Sequence, residues 1–214
     1  MSAMINLKTL KAINLASSDE KTRYYLNGVL LELRPGRVNY IATNGHILAA
    51  MSHETDCDLT LDLIVPSAVI ESFKVSKRDD GDAILEPIGP GSYRLGDKIF
   101  TPIDGTFPDW RRVVGDVNCP AYTGIGKKSD GTTYQPLIPQ FNPKYISTMG
   151  KIGLGLGASG LSMELHHNEA SYPSRVTWDV DGAFGVIMPL KSPERSSALP
   201  DWVGANNVKE QIAA

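Results

Sequence analysis

Residues 41–49 read IATNGHILA, and the fold turns on what this stretch does. Two apolar segments flank Asn44-Gly45, a pair suited to a type I′ turn because both central positions of that turn need positive φ. Residues 37–43 (RVNYIAT) and 46–52 therefore read as the two strands of one hairpin. His46 directly after the turn is either a working group or a passenger. A general base needs a partner held at fixed distance, and Glu54, Asp56 and Asp58 fall at no spacing that fixes one. No nucleophile motif occurs in the chain, so His46 reads as a hairpin residue with a structural or binding role.

Working outward, residues 23–33 (RYYLNGVLLEL) read as the strand before this hairpin, joined to it by the turn Arg34-Pro35-Gly36. Upstream, Asn6 is placed to cap a helix in which Leu7, Leu10 and Ile13 recur at helical spacing. Downstream, 59–65 (LTLDLIV) alternates like a strand, and Pro66 introduces a short helix with Val69, Ile70 and Phe73 on its apolar side. Short strands near 83–86, 91–95 and 98–102 follow, closed by FPDWRRVV (107–114). Residues 1–115 thus read as helix, strands, helix, strands: two similar halves of one α+β domain.

Residues 116–140 are rich in Gly, Pro, Lys and Ser and read as a linker or an abbreviated half-domain. Asn142-Pro143 is a strong helix start, with Tyr145, Ile146, Met149 and Ile152 as the apolar stripe. Strands near 161–167, 174–180 and 184–190 complete a half-domain over 141–192, and 193–214 form a polar tail with a lone Trp202.

Bulk properties exclude several classes. A net charge of −3 is not that of a uniformly basic nucleic-acid coat, although it permits a basic strip. Cys57 and Cys119 are far apart and lack a CxxC pattern, so neither a disulfide framework nor a zinc site is implied. The N-terminus lacks a signal-peptide pattern and the apolar runs are strand-sized, which points to a cytoplasmic protein and away from a membrane. GLGASG (155–160) matches a dinucleotide fingerprint in letters only, because the helix precedes it and the strand follows. His166-His167 would point to opposite faces of a strand and cannot easily chelate one ion. Lys8 and Lys11, Lys74, Lys77 and Arg78, and Lys144 and Lys151 all fall on or beside the three helices, the pattern of a shared basic surface.

Three segments together resemble the bacterial replicative sliding clamp, the beta subunit of DNA polymerase III. TRYYLNGVLLEL (22–33) is similar to the opening of its middle domain, IATNGHILA to that domain's V-A-T-D-G-H-R-L-A hairpin, and FPDWRRVV to its F-P-D-Y-R-R-V closing segment. FGVIMPLK (184–191) and FNPKYISTM (141–149) resemble parts of the last domain more loosely. The resemblance implies a DNA clamp fold, with helices on one face of curved antiparallel sheets. It implies no enzyme and no cofactor or metal, but a processivity factor with duplex DNA, polymerase or other clamp-binding peptides, and a clamp loader as partners. The lysine-bearing helices would then face DNA, where mobile ammonium groups hold phosphate without reading bases.

The family's peptide pocket carries over position by position. Leu26 comes from the first strand, and Thr43, Gly45, His46, Ile47 and Leu48 from the hairpin. Pro108, Arg112 and Val113 come from the closing segment, and Val186, Ile187, Met188, Pro189 and Leu190 from the last strand. The chain departs from the family at Ile47, which stands for Arg, and mildly at Asn44 for Asp. Length is the larger departure: the family has three two-half domains and two chains per ring. If 116–140 supply an abbreviated half, three copies would close a ring; if not, four would. The rival expectation is an adaptor or decoy that binds client peptides without encircling DNA.

Overall fold

The computed structural model describes residues 2–76, 81–114, 126–127, 133–134, 139–160, 162–166 and 172–190. Its first half runs β1 (Ala3–Asn6), α1 (Leu7–Asn14), β2 (Gly28–Arg34), β3 (Arg37–Thr43) and β4 (Ile47–Glu54). The second repeats that order with β5 (Leu61–Pro66), α2 (Ser67–Ser72), β6 (Asp82–Gly89), β7 (Ser92–Leu95) and β8 (Lys98–Phe100). A two-residue ladder, β9 (Gly126–Lys127) with β10 (Thr133–Tyr134), precedes α3 (Pro143–Leu156), β11 (Met163–His166), β12 (Ser174–Trp178) and β13 (Ala183–Ile187).

The two halves exchange their leading strands. β1 pairs with β6 in a four-stranded sheet β1-β6-β7-β8, while β5 pairs with β2 in a seven-stranded sheet β11-β12-β13-β4-β3-β2-β5. All pairs are antiparallel, so the architecture is α+β with sheets that can keep one face toward helices. The expected fold class holds.

Alternation along the strands explains the layers. Val29, Leu31, Leu33, Tyr40, Ala42 and Ala49 point to the helix side, where Leu10, Ile13, Ile70, Met149 and Ile152 complete the main core. Leu30, Ile41, Leu48, Ala50, Ile64 and Val186 point the other way and form a smaller apolar cluster under Tyr25, Ile103, Phe107, Trp110 and Phe184. α1 lies between α2 and α3 on one face. A Cβ on Gly155 would come within 2.9 Å of the Ala12 side chain, so α1 and α3 approach closely there.

Local chemistry sets the helix starts as read from sequence. Asn6 Oδ1 accepts from Thr9 N at 2.9 Å, and Asn142 Oδ1 accepts from Lys144 N at 3.0 Å. GLGASG is the end of α3 plus a left-handed cap at Gly157, φ +100°, which rules out a phosphate loop. Gly153 and Gly150 give a paired test. A Cβ at Gly153 would sit 2.4 Å from Trp178 Cδ1, whereas at Gly150 it meets nothing within 4 Å. Gly153→Ala is expected to lose about 2 kcal/mol by overpacking, and Gly150→Ala to gain about 1 kcal/mol through helix propensity. Thermal unfolding of the two variants checks the contrast.

Several expectations need correction. β1 is a strand that the sequence does not mark, because four residues running into a helix carry too little periodicity. The strand expected from residue 23 begins only at Gly28: Tyr24–Leu26 form a 3-10 turn, with Leu26 N bonded to Arg23 O at 2.9 Å. At Gly28, the first residue of the strand, a side chain is excluded because Val65 O lies 2.2 Å from where a Cβ would stand. The strand expected at 184–190 ends at Ile187 and that at 98–102 at Phe100. Lys77, Arg78, Cys119, His167, Lys191 and Trp202 lie outside the described residues.

Candidate functional site

The hairpin turn is braced by side chains. Thr43 Oγ1 donates to Ile47 O at 2.7 Å and accepts from Gly45 N at 3.1 Å. Asn44 Oδ1 accepts from His46 N at 2.9 Å and Ile47 N at 3.0 Å. Gly45 alone takes positive φ, at +86°, so the type I′ turn with Asn44 in the left-handed region is not formed. Asn44 contributes as an acceptor instead.

Residues 101–114 cross the outward face of the seven-stranded sheet and are pinned there by one carboxylate. Glu32 is buried at an outward position of β2. It accepts from Arg111 Nη1 and Nη2 at 2.9 and 2.7 Å, from Trp110 Nε1 at 3.1 Å and from Asn39 Nδ2 at 3.1 Å. Burial pushes its carboxyl upward, but the bonds from Arg111, Asn39 and Trp110 together outweigh it and hold the group down to about 2. Arg111 also lies 4.2 Å over the Trp110 ring. Trp110 meets Phe184 of β13, centroids 6.1 Å apart.

β13 supplies the remaining wall. It pairs with β4 from Ala183↔Met51 to Ile187↔Ile47, and Met188 N donates to His46 O at 2.9 Å just past the ladder. These elements enclose a groove of about 220 Å³ lined by Leu26, Thr43, Gly45, His46, Ile47, Leu48, Pro108, Val113, Val186 and Met188. Arg23, Tyr25, Asp109 and Trp110 complete it. A mostly apolar groove with a few polar groups at its mouth suits an apolar side chain presented on an extended segment.

Ten of the sequence-derived pocket positions line this groove, and four do not. Ile187 points to the helix-side core and is fully buried, because strand alternation gives the groove to Val186 and Met188 instead. Arg112 is exposed on the 3-10 turn Trp110–Val113, of which Trp110 and Val113 line the groove instead. Pro189 and Leu190 run past the groove, with Leu190 N bonded to Gln140 O at 2.7 Å. Arg23 and Tyr25 also reach the groove, which a strand over 23–33 does not predict and the 3-10 turn at Tyr24–Leu26 does. Arg23 is held over Gly45 by Glu20, at 2.7 and 2.9 Å. His46 stacks on Tyr145 of α3, centroids 5.5 Å apart, which ties the groove to the last half-unit.

Of the candidate DNA-facing lysines, Lys8 and Lys11 are carried by α1, Lys144 and Lys151 by α3, and Lys74 follows α2. Lys74, Lys144 and Lys151 are exposed. Lys11 donates to the Phe73 carbonyl at the end of α2, a favourable place for a cation but one that restrains its reach. The Lys8 side chain packs along Gly81. Among the described residues, no three potential metal ligands cluster, and no helix is long and apolar enough to cross a membrane.

Residues 4–109 match the family described as DNA polymerase III beta subunit, central domain. The chain is a DNA polymerase III beta clamp-like protein. It is 38% identical over 114 residues to the beta sliding clamp of Escherichia coli (strain K12), a match that covers 50% of this chain and 31% of that protein. The corresponding figure for Salmonella typhimurium is 36% over 114 residues. Among solved structures, a DnaN sliding clamp from Bartonella birtlesii bound to griselimycin matches with a TM-score of 0.67 at 20% identity, covering 89% of this chain and 66% of that one. A beta subunit from Thermotoga maritima gives 0.64 at 13% identity, covering 90% and 66%. At such identities the likeness shows the fold, and this clamp-like chain spans only part of each relative's length.

Proposed function

We propose that this clamp-like chain is a DNA sliding clamp, a processivity factor that encircles duplex DNA as a homo-oligomeric ring and docks polymerase or other client peptides in the 23–48/108–113/186–188 groove. The carrying observation is the separation of two faces: α1, α2 and α3 lie side by side on one, and the groove opens on the other. Lysines on the helical face would attract phosphate without fixing register, which permits sliding. In this reading 1–115 form a complete clamp-type domain and 141–192 a half-domain, joined by 116–140 as a linker or abbreviated half, with 193–214 as a tail. It assigns the protein no catalysis. Its setting is the cytoplasm, where a clamp loader is an additional partner. The ring has three or four copies, according to what 116–140 contribute.

A second reading is favoured by one specific observation: both walls of the groove come from a single chain. An adaptor or decoy could therefore hold client peptides without encircling DNA. Light scattering after size-exclusion chromatography is expected to give a mass of three or more copies at micromolar concentration. A monomer throughout that range would count against the ring and leave the adaptor.

A further inference from the structure

Three strands close the repeating half-units of this chain: β4, β8 and β13. β4 and β13 pair with each other over five residues, and the outward side of that seam is sealed by buried Leu48, Ala50 and Val186. β8 occupies the equivalent place at the end of the four-stranded sheet and, among the described residues, pairs only with β7. Leu85, Leu95 and Phe100 of that sheet face the core, so Ile99 points outward, and it is 68% exposed. β8 has only three residues, yet its exposed isoleucine stands at a sheet edge that no described strand covers, which is a place where another strand can add. Lys98, the residue that could blunt it, lies on the other face from Ile99 and is held by Asp97 at 2.9 Å.

We propose that β8 is a self-association edge and that its occupant is β8 of a second copy, antiparallel about a two-fold axis, with Ile99 facing its counterpart. The chain already shows how its closing strands are covered: another closing strand, antiparallel, with apolar side chains meeting on the outward face. β8 is the closing strand left over among the described residues, and a two-fold axis brings a strand antiparallel to its own copy. Arg94, beside Ile99 on the outward face, is engaged by Glu86, so the seam brings no unpaired charge to its centre. A two-fold contact makes copies associate in even numbers. A ring containing it would have four copies rather than three, and this last step alone rests on the ring reading.

The test is Ile99→Cys in a Cys119→Ser background, treated with a short bismaleimide. More than half of the chains are expected to become covalent dimers, while Leu15→Cys on the exposed end of α1 stays monomeric. Ile99→Asp is expected to reduce the mass in solution at least twofold with an unchanged melting temperature. Rapid alkylation of Ile99→Cys without cross-linking, in protein of unreduced mass, would overturn the β8 pair and leave the ring standing. Slow alkylation without cross-linking would show that another segment of the same chain covers β8, and would equally overturn it. An intact β8 dimer that shows no topological hold on DNA would remove the ring alone.

Discussion

Met188→Asp combined with Val113→Asp is expected to weaken binding of a client peptide with apolar anchors by about 100-fold or more. Seating such an anchor contributes about 1.5–3 kcal/mol per side chain, and a carboxylate in the groove would have to be desolvated as the anchor enters. Both positions line the groove, yet Val113 is exposed and Met188 half-buried just past the β4–β13 ladder. The double variant should therefore keep its melting temperature within a few degrees. Fluorescence anisotropy with a labelled peptide reads the affinity. Unchanged binding by a folded double variant would place the docking site elsewhere.

Glu32→Ala is expected to cost about 3 kcal/mol of stability, the range for breaking a buried charge pair by removing one partner, at its lower end because Arg111 stays solvated. Peptide affinity should fall with it. Asp109, Trp110 and Val113 line the groove, and Glu32 is what fastens their segment to the sheet. The pH dependence has a definite sign. The folded carboxyl titrates near 2, below its ordinary value of 4.5, so its stabilising contribution is complete above about 4.5 and is lost as pH falls toward 2. Between those limits the wild-type melting temperature should drop more steeply than that of Glu32→Gln. Parallel curves would mean the clasp does not form. His53 acts in a higher window: burial lowers its pKa, so the unfolded chain takes up the proton first as pH falls through about 6.5, which also lowers stability there.

Local signals were the most legible. Asn6 and Asn142 cap their helices as their spacing implies, and the hairpin at 44–46 stands where the apolar runs break. Ten groove positions could be named because the 22–33 segment, hairpin, closing segment and last strand each carry a recognisable pattern. What escaped was set by tertiary packing. The face of Ile187 depends on the register of β13 against β4, and the direction of Arg112 on a 3-10 turn that no periodicity marks. The role of Glu32 had a faint signal: an acid amid GVLLELR, at an outward position, must find a partner or stay in water. That Trp110 and Arg111, 78 and 79 positions away, would join Asn39 as its partners could not be read along the chain. The Lys11 bond to the end of α2 was hidden for the same reason.

The central claim, a ring that holds duplex DNA by topology, is tested most directly by comparing how long the protein stays on closed circular DNA and on linear DNA of equal length after dilution into moderate salt. A ring predicts a lifetime on the circle at least tenfold longer, with linearisation of the loaded circle releasing the protein. Equal loss from both forms would contradict encirclement.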